Sequence, residues 1–131
     1  MNKSPVVHFE MPYQNSKRVS DFYKAAFRWN MQNPGPEYGD YILAITTDVD
    51  KKMGRPTTPG AINGGFYKKS ENSNPYPSFV ISVEDIKKGV ENVKKAGGKV
   101  VSEPAEIPNI GLWAVFIDTE GNKVSMLQPK M

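Results

Sequence analysis

VVHFEMPYQNSKRVSDFYKAAF, residues 6–27, contains a strand pattern followed directly by a helix pattern. Its first six residues alternate well enough to predict a strand with one buried face, which Pro12 ends. Asn15 or Ser16 then offers a helix N-cap. Four apolar residues follow at the i, i+3, i+4 and i+7 positions of one helix face: Val19, Phe22, Tyr23 and Ala26.

The same order of elements recurs in the second half of the chain. Residues 79–83 read as a strand, and Asp85 is a helix cap 70 positions after Asn15. A second apolar stripe follows the cap, and Gly97-Gly98 ends that helix. The stripe consists of Ile86, Val90 and Val93.

Each half also contains three further strand patterns. In the first half these are a short strand between residues 29 and 40, then 41–46 and 61–68; in the second half they are 99–101, 112–117 and 122–128. Gly64-Gly65 inside a strand indicates a bulge or a close backbone approach. The pattern predicts an α+β fold of two tandem β-α-β-β-β modules in a single domain, residues 1–131. Module one covers about 4–69, the linker 70–77 and module two about 78–131.

Composition excludes several classes of protein. The 131 residues include no cysteine, which excludes disulfides and thiolate metal sites. No apolar run reaches the length of a membrane span, and nothing near the first residue resembles a signal peptide, so we expect a soluble, cytoplasmic protein with no membrane partner. The net charge of +3 comes from scattered lysine pairs, which argues against a nucleic-acid partner, although it is compatible with an anionic small ligand.

Several short motifs occur in a fixed order along the chain. The first half carries Val-His-Phe-Glu-Met-Pro at 7–12, Phe-Tyr at 22–23 and Phe-x-Trp at 27–29. The second half carries Val-Glu-Asp-Ile at 83–86, Ala-Gly-Gly-Lys-Val at 96–100 and Phe-x-Asp-x-x-Gly-Asn at 116–122. In this order and at this repeat, the chain resembles the vicinal-oxygen-chelate superfamily, in particular its single-domain glyoxalase/bleomycin-resistance-like members.

The resemblance implies two modules whose sheets curl around one cavity, with four metal ligands on four strands in metal-using members. His8 matches the first ligand position. The other three positions map to Asn63, Ser78 and Ser125, which are neutral and weak donors. The resemblance therefore implies that the metal site is largely lost and that no cofactor is needed, with a divalent metal (Ni, Mn, Fe or Zn) as the open alternative.

His8 and Glu10 are the residues to which we assign chemistry. They point to the same face of their strand, since they are two residues apart. Together they supply two ligands, too few for a tight metal site. His8, the only histidine, is either a hydrogen-bonded structural residue or a ligand donor and general base.

Trp113 lies on a strand that lines the cavity in relatives, and Trp29, Tyr41, Phe66 and Tyr67 are candidates to extend an aromatic wall or simply to fill the core. The loop 103–111 is either a rim over the ligand or a proline-stiffened connection. The candidate ligand-binding residues are His8, Glu10, Asn63, Ser78, Trp113 and Ser125.

Three functions stay open. The first is a metal-free domain that binds a small molecule in its cavity. The second is a lyase, isomerase or dioxygenase of the same superfamily that uses His8 and Glu10. The third is a protein-interaction module without a ligand. The resemblance also implies a homodimer.

Overall fold

The computed structural model describes residues 3–130, which divide into two α+β units. The first unit is residues 8–77, and the second is residues 3–7 together with 78–130. Both contain the predicted strand, helix and further strands in the predicted order, which confirms the α+β repeat.

The first unit contains one helix against a mixed sheet of order β2-β3-β4-β1. Strands β2, β3 and β4 pair antiparallel, whereas β4 and β1 pair parallel. The elements are β1 (Val6–Tyr13), α1 (Ser16–Phe27), β2 (Asn30–Gln32), a 3₁₀ turn (Pro36–Tyr38), β3 (Ile42–Ile45) and β4 (Asn63–Lys68). The first two residues of β1 belong by their contacts to the second unit, where the Ser82 amide donates to the Pro5 carbonyl at 2.9 Å.

The first strand extends further than its sequence predicts. It continues through Pro12 to Tyr13, with Pro12 in register with Tyr67 of β4. Proline lacks a donor but already has a φ compatible with extended backbone, so that it is tolerated near a strand end. The prediction that Pro12 ends the strand was therefore wrong: the strand includes Pro12 and ends one residue later, at Tyr13.

The core of the first unit is aromatic on the side of the sheet that α1 covers. Its buried residues are Tyr13, Ile42, Ala44 and Phe66, and the side chains packed against them include Phe9, Val19, Tyr23 and Trp29. The Asn15 side chain accepts from the Arg18 amide, which confirms the predicted N-cap.

The second unit repeats this plan with one additional strand. Strands β5 and β9 pair parallel, β8 pairs antiparallel with β9, and both β6 and β7 pair antiparallel with β8. The elements are β5 (Ser78–Ser82), α2 (Ile86–Lys95), β6 (Lys99–Val100), β7 (Ala105–Ile107), β8 (Gly111–Ile117) and β9 (Lys123–Pro129).

The prolines of residues 103–111 predicted a loop, but part of this region forms a strand. Residues Ala105–Ile107 form β7, with Ala105 opposite Trp113 and Ile107 opposite Gly111. The edge of the next strand, β8, supplies hydrogen-bond partners for residues 105–107 across the short turn 108–110, so hairpin pairing overrode the loop signal of the prolines.

The core of the second unit is mainly aliphatic and lies under α2. Ile86, Val90, Ala114 and Met126 are buried together. Asp85 is the N-cap of helix α2, as predicted, and its carboxylate accepts from the Lys87 and Lys88 amides. Past its C-terminal end, Gly97 has a φ of 98°, which confirms the glycine cap. Within residues 3–130, neither helix has the length and apolarity needed to cross a membrane.

Candidate functional site

The face of the first unit's sheet that lies away from its core carries the polar residues. Strand residues alternate between faces, and Phe9 and Met11 contact the core, so that His8 and Glu10 point the other way. Register places Asn63 beside His8 and Gly65 beside Glu10. This face is half-buried and is not covered by α1.

Tyr41 joins His8 and Glu10 into one hydrogen-bonded chain. Its hydroxyl oxygen lies 2.9 Å from His8 Nε2 and 3.1 Å from Glu10 Oε2, and the hydroxyl donates to the carboxylate. These three side chains, His8, Tyr41 and Glu10, are called the polar chain below. The sequence predicted the pairing of His8 with Glu10 on one face, but it did not predict that a tyrosine from before β3 lies between them.

The direction of donation assigns the tautomer of His8. A phenol has one proton, and Tyr41 gives it to Glu10. The 2.9 Å contact then requires that His8 Nε2 carry a proton and donate it to the Tyr41 oxygen. The neutral ring consequently presents Nδ1 as an unprotonated acceptor.

Burial keeps the His8 imidazole and the Tyr41 phenol neutral near pH 7. It lowers the pKa of His8 below the ordinary value of 6.5, because charging a buried imidazole costs solvation. The pKa of Tyr41 is raised well above its ordinary value, mainly by burial and in second place by the negative charge of Glu10. The same two causes raise the pKa of Tyr67 to about 12. The imidazole and both phenols are therefore neutral near pH 7.

Gly65 provides the space that Tyr41 occupies. A Cβ atom at this position would lie 2.0 Å from the Tyr41 hydroxyl oxygen and 2.1 Å from its ring. At Gly64, on the other face, a Cβ would lie 2.4 Å from the Phe9 ring. The glycine pair marks neither a bulge nor a close backbone approach, the two meanings that the sequence offered: the register with β1 is continuous, and each glycine admits an aromatic ring on its own face.

Asn63 has a structural contact on the same face. Its side-chain oxygen accepts from the Thr46 amide at 2.8 Å and lies 3.4 Å from the Thr46 hydroxyl, which also donates to the Ile62 carbonyl. Asn63 thereby ties together the two ends of the long loop between β3 and β4. Its adjacency to His8 keeps it a candidate for ligand contact, although its oxygen is already engaged.

The remaining candidate residues lie in the second unit, on the sheet face away from α2. Ser125 is only 5% exposed and is in register with Val80 and Val115. Trp113 and Ser78 share that face by alternation and are half-buried. This face carries hydroxyl and indole groups, but none of these three residues carries a charge at neutral pH.

Two of the aromatic residues proposed for a ligand wall belong to the core instead. Phe66 is 1% exposed, and Trp29 stacks on Tyr23 with ring centroids 4.7 Å apart. Both lie on the α1 side of the sheet, where each contacts the Tyr23 ring. Tyr41 and Tyr67 lie on the polar face, and the Tyr67 hydroxyl donates to the Asn74 carbonyl.

A groove of about 490 Å³ on the first unit lies apart from the polar chain. It runs along α1 and is lined by Tyr13, Arg18, Phe22 and Lys69, among others. None of the three residues of the polar chain lines it. The polar chain therefore lies outside this groove.

The donor set does not fit the metal site that the resemblance implies. Among residues 3–130, no three His, Cys, Asp or Glu side chains are grouped so that they could hold a metal ion. His8 Nε2 and one Glu10 oxygen are both engaged with the Tyr41 hydroxyl. A bound cation requires three or four protein ligands, whereas this site offers two, and both are already hydrogen-bonded to Tyr41.

Comparisons with known proteins agree with this fold. The family model for the Glyoxalase/Bleomycin resistance protein/Dioxygenase superfamily matches residues 6–126. A glyoxylase-like domain-containing protein of Didymella fabae is 33% identical over 117 residues, which are 86% of this chain and 84% of that protein.

Two solved structures share the fold at low sequence identity. A hypothetical protein of Bacillus halodurans C-125 superposes with a TM-score of 0.69 at 16% identity, covering 99% of this chain and 97% of that one. A methylmalonyl-CoA epimerase of Mycobacterium tuberculosis superposes with a TM-score of 0.68 at 12% identity, covering 100% and 93%.

Proposed function

Because the chain belongs to the Glyoxalase/Bleomycin resistance protein/Dioxygenase superfamily, we propose that it binds a small molecule, without a metal, at the polar chain of its first unit. The observation that carries this proposal is the hydrogen-bonded sequence His8, Tyr41, Glu10 on a half-buried sheet face. A few fixed polar groups beside aromatic side chains are typical of small-molecule sites.

The ligand that complements this site offers hydrogen-bond donors. The protons of Tyr41 and of His8 Nε2 are used within the polar chain, so His8 Nδ1 is left as an acceptor. A hydroxyl or amine group on the ligand can donate to this nitrogen. The net charge of +3, which is compatible with an anionic ligand, does not describe this face.

Ligand-induced stabilisation tests the proposal. Metal-stripped protein is screened by thermal melting against neutral and cationic small molecules with hydroxyl or amine groups, and a hit raises the melting temperature by mass action. We expect Tyr41→Phe and His8→Ala to weaken the hit about tenfold or more, since each leaves a polar partner unsatisfied. Tyr67→Phe is the matched control, because it also removes a phenol oxygen from this face but leaves the polar chain intact.

A hit that binds equally well to wild type, Tyr41→Phe and His8→Ala would place the ligand elsewhere and contradict the proposal. A screen without hits, together with a stable complex with another protein in pull-down, would favour the protein-interaction function instead.

An enzyme is the second candidate function, favoured by the state of His8. A general base must be unprotonated at the working pH, and a buried neutral imidazole with a free Nδ1 meets this condition. A lyase or isomerase that acts without metal would use His8 to remove a proton, with Tyr41 and Glu10 holding the ring. The assay is exchange of carbon-bound hydrogen from candidate carbonyl compounds in D₂O, and activity retained in His8→Ala would exclude this role.

We also propose a homodimer and a cytoplasmic location. The family resemblance supports the dimer, and static light scattering that returns the monomer mass would contradict it. A chain without cysteine needs no oxidising compartment to fold, which supports the location. Cell fractionation tests it directly.

A further inference from the structure

One oxygen atom lies within hydrogen-bonding distance of two side chains that bind metals in other proteins. The Tyr41 hydroxyl is 2.9 Å from His8 Nε2 and 3.1 Å from Glu10 Oε2. Imidazole nitrogen and carboxylate oxygen are ligands for divalent transition metals, at bond lengths of about 2.0–2.2 Å. If the hydroxyl were absent, each side chain would need to move by only about an ångström to reach a shared cation.

We propose that Tyr41 keeps this site free of metal, because its hydroxyl occupies the position between His8 and Glu10 that a divalent cation would otherwise take. In place of a metal, the hydrogen bonds of Tyr41 hold the imidazole and the carboxylate in fixed positions. This role rests on the proposed function, in which the ligand is bound without metal.

Packing holds the Tyr41 ring at this position. The space beside it is empty of side chain because residue 65 is glycine, whose hypothetical Cβ would lie within 2.2 Å of three Tyr41 atoms. The adjoining strands fix the backbone, since Leu43 pairs with Gly65 and Ile42 with Phe66. The packing against Gly65 and the pairing of the strands beside it thus hold Tyr41 in the site.

The two hydrogen bonds of the phenol make the replacement effective. Its hydroxyl engages both the imidazole, at 2.9 Å, and the carboxylate, at 3.1 Å. A cation arriving here must break both hydrogen bonds and gains two protein ligands in return. Within the part of the chain that the structure describes, no further grouping of His, Asp or Glu supplies a third.

Replacing the phenol by a shorter imidazole should reverse the effect. The side chain in Tyr41→His ends about 2 Å short of the phenol oxygen, roughly one Zn–N bond length, so it leaves room for a cation and adds a third donor. Three protein ligands with an open fourth position is the donor count of catalytic zinc sites. We therefore expect Tyr41→His to bind Zn²⁺ or Ni²⁺ where wild type does not.

The experiment measures Zn²⁺ and Ni²⁺ binding by equilibrium dialysis and by metal-induced shifts in melting temperature. Wild type is expected to bind neither metal at micromolar concentration. Tyr41→Phe is expected to bind neither as well, because the end of its ring still lies against the position that a cation needs. Tyr41→His is expected to bind one equivalent, with affinity about tenfold or more above wild type, and the double variant His8→Ala/Tyr41→His is expected to lose it. Tyr67→His is the matched control: it adds a histidine to the same face, away from the polar chain, and is expected to gain nothing.

Two outcomes would overturn the inference. One is a folded Tyr41→His that binds metal no better than wild type or Tyr67→His; the other is tight metal binding by wild type itself. If Tyr41→His does not fold, Tyr41→Ala takes its place, because it also opens the position, and a gain in metal affinity that His8→Ala abolishes is then required. Ligand hits on metal-stripped wild type support the proposed function whatever Tyr41→His does, so the two can fail separately.

Discussion

The two units share an order of elements but differ in what they place on the sheet face away from the helix. In the first unit that face carries a histidine, a carboxylate and two tyrosines, joined in part by hydrogen bonds. In the second it carries the uncharged residues Ser78, Trp113 and Ser125, together with Lys123, which shares the face of Ser125 by alternation along β9. The helix-covered faces differ less, since both are apolar, aromatic in one unit and aliphatic in the other.

This difference shows where a duplicated fold is free to vary. Strand alternation separates the residues that stabilise each unit from those on its other face, so that one face can change its chemistry while the other preserves the core. Among the described residues of the two faces, only the imidazole of His8, in the first unit, belongs to a side-chain type that ordinarily titrates near neutral pH. The glycine at position 65 leaves space for the Tyr41 ring that joins it.

The largest expected effect comes from filling the space beside Gly65 that the Tyr41 ring occupies. Gly65→Ala places a methyl group 2.0 Å from the Tyr41 oxygen, which forces the ring out of the polar chain. Overpacking of this kind costs about 2–3 kcal/mol of unfolding free energy, measured by urea denaturation. The variant should also lose any ligand found for wild type. A cost that shrinks in a Tyr41→Ala background would identify the Tyr41 ring as the cause.

Gly89 of the second unit is the matched control. It lies inside α2, where alanine is favoured over glycine by about 1 kcal/mol. Its hypothetical Cβ is 3.1 Å from the flexible sulfur of Met126, so a small side-chain shift relieves the contact. We expect Gly89→Ala to stay within about 1 kcal/mol of wild type. Equal costs for Gly65→Ala and Gly89→Ala would remove the contrast between the units.

The sequence predicted the architecture because its signals are local. Caps at Asn15 and Asp85 and the glycine at 97 act within a few residues, and all three are confirmed. The apolar stripe of α1 is confirmed only in part, since Val19 and Tyr23 pack on the core whereas Phe22 is 55% exposed. The strand β7 was missed because its three residues show no strand pattern of their own and become a strand by pairing with the next strand, β8.

The candidate site was predicted only in part, for the same reason. Alternation along one strand was enough to place His8 and Glu10 on a common face. The link between them depends on Tyr41, which is 31 residues from Glu10 along the chain and reaches it only through the pairing of β3, β4 and β1. Gly65 was the one local sign of it, and by itself it could not name the ring that fills the space.

An intermediate effect should appear in the pH dependence of stability. Burial lowers the pKa of His8 in the folded state, so below 6.5 the unfolded chain takes up a proton that the folded chain refuses. Unfolding free energy should therefore fall as pH drops from 6.5 to the folded-state pKa, with a slope of at most about 1.4 kcal/mol per pH unit. Urea midpoints at several pH values between 5 and 8 measure this slope.

Two variants connect this slope to one unit. His8 is the only histidine, so His8→Gln should remove most of the slope between pH 5 and 7. Ser125→Ala, on the corresponding face of the second unit, should leave it unchanged. A slope that persists in His8→Gln would mean that another group titrates there and that the proton-binding difference between the units is not due to His8.

The smallest expected effect concerns how each helix ends. Arg28 follows α1 in the left-handed conformation, with a φ of 61°, whereas Gly97 serves α2 at a φ of 98°. A side chain in that conformation costs about 1–2 kcal/mol, partly offset by the greater freedom of glycine in the unfolded chain. Arg28→Gly should therefore raise the unfolding free energy by about 0.5 kcal/mol, and Gly97→Ala should lower it by about 1 kcal/mol. Urea denaturation of both variants resolves the two signs. Loss of stability in Arg28→Gly would show that the arginine side chain contributes contacts that outweigh its backbone strain, and that α1 depends on them where α2 depends on glycine.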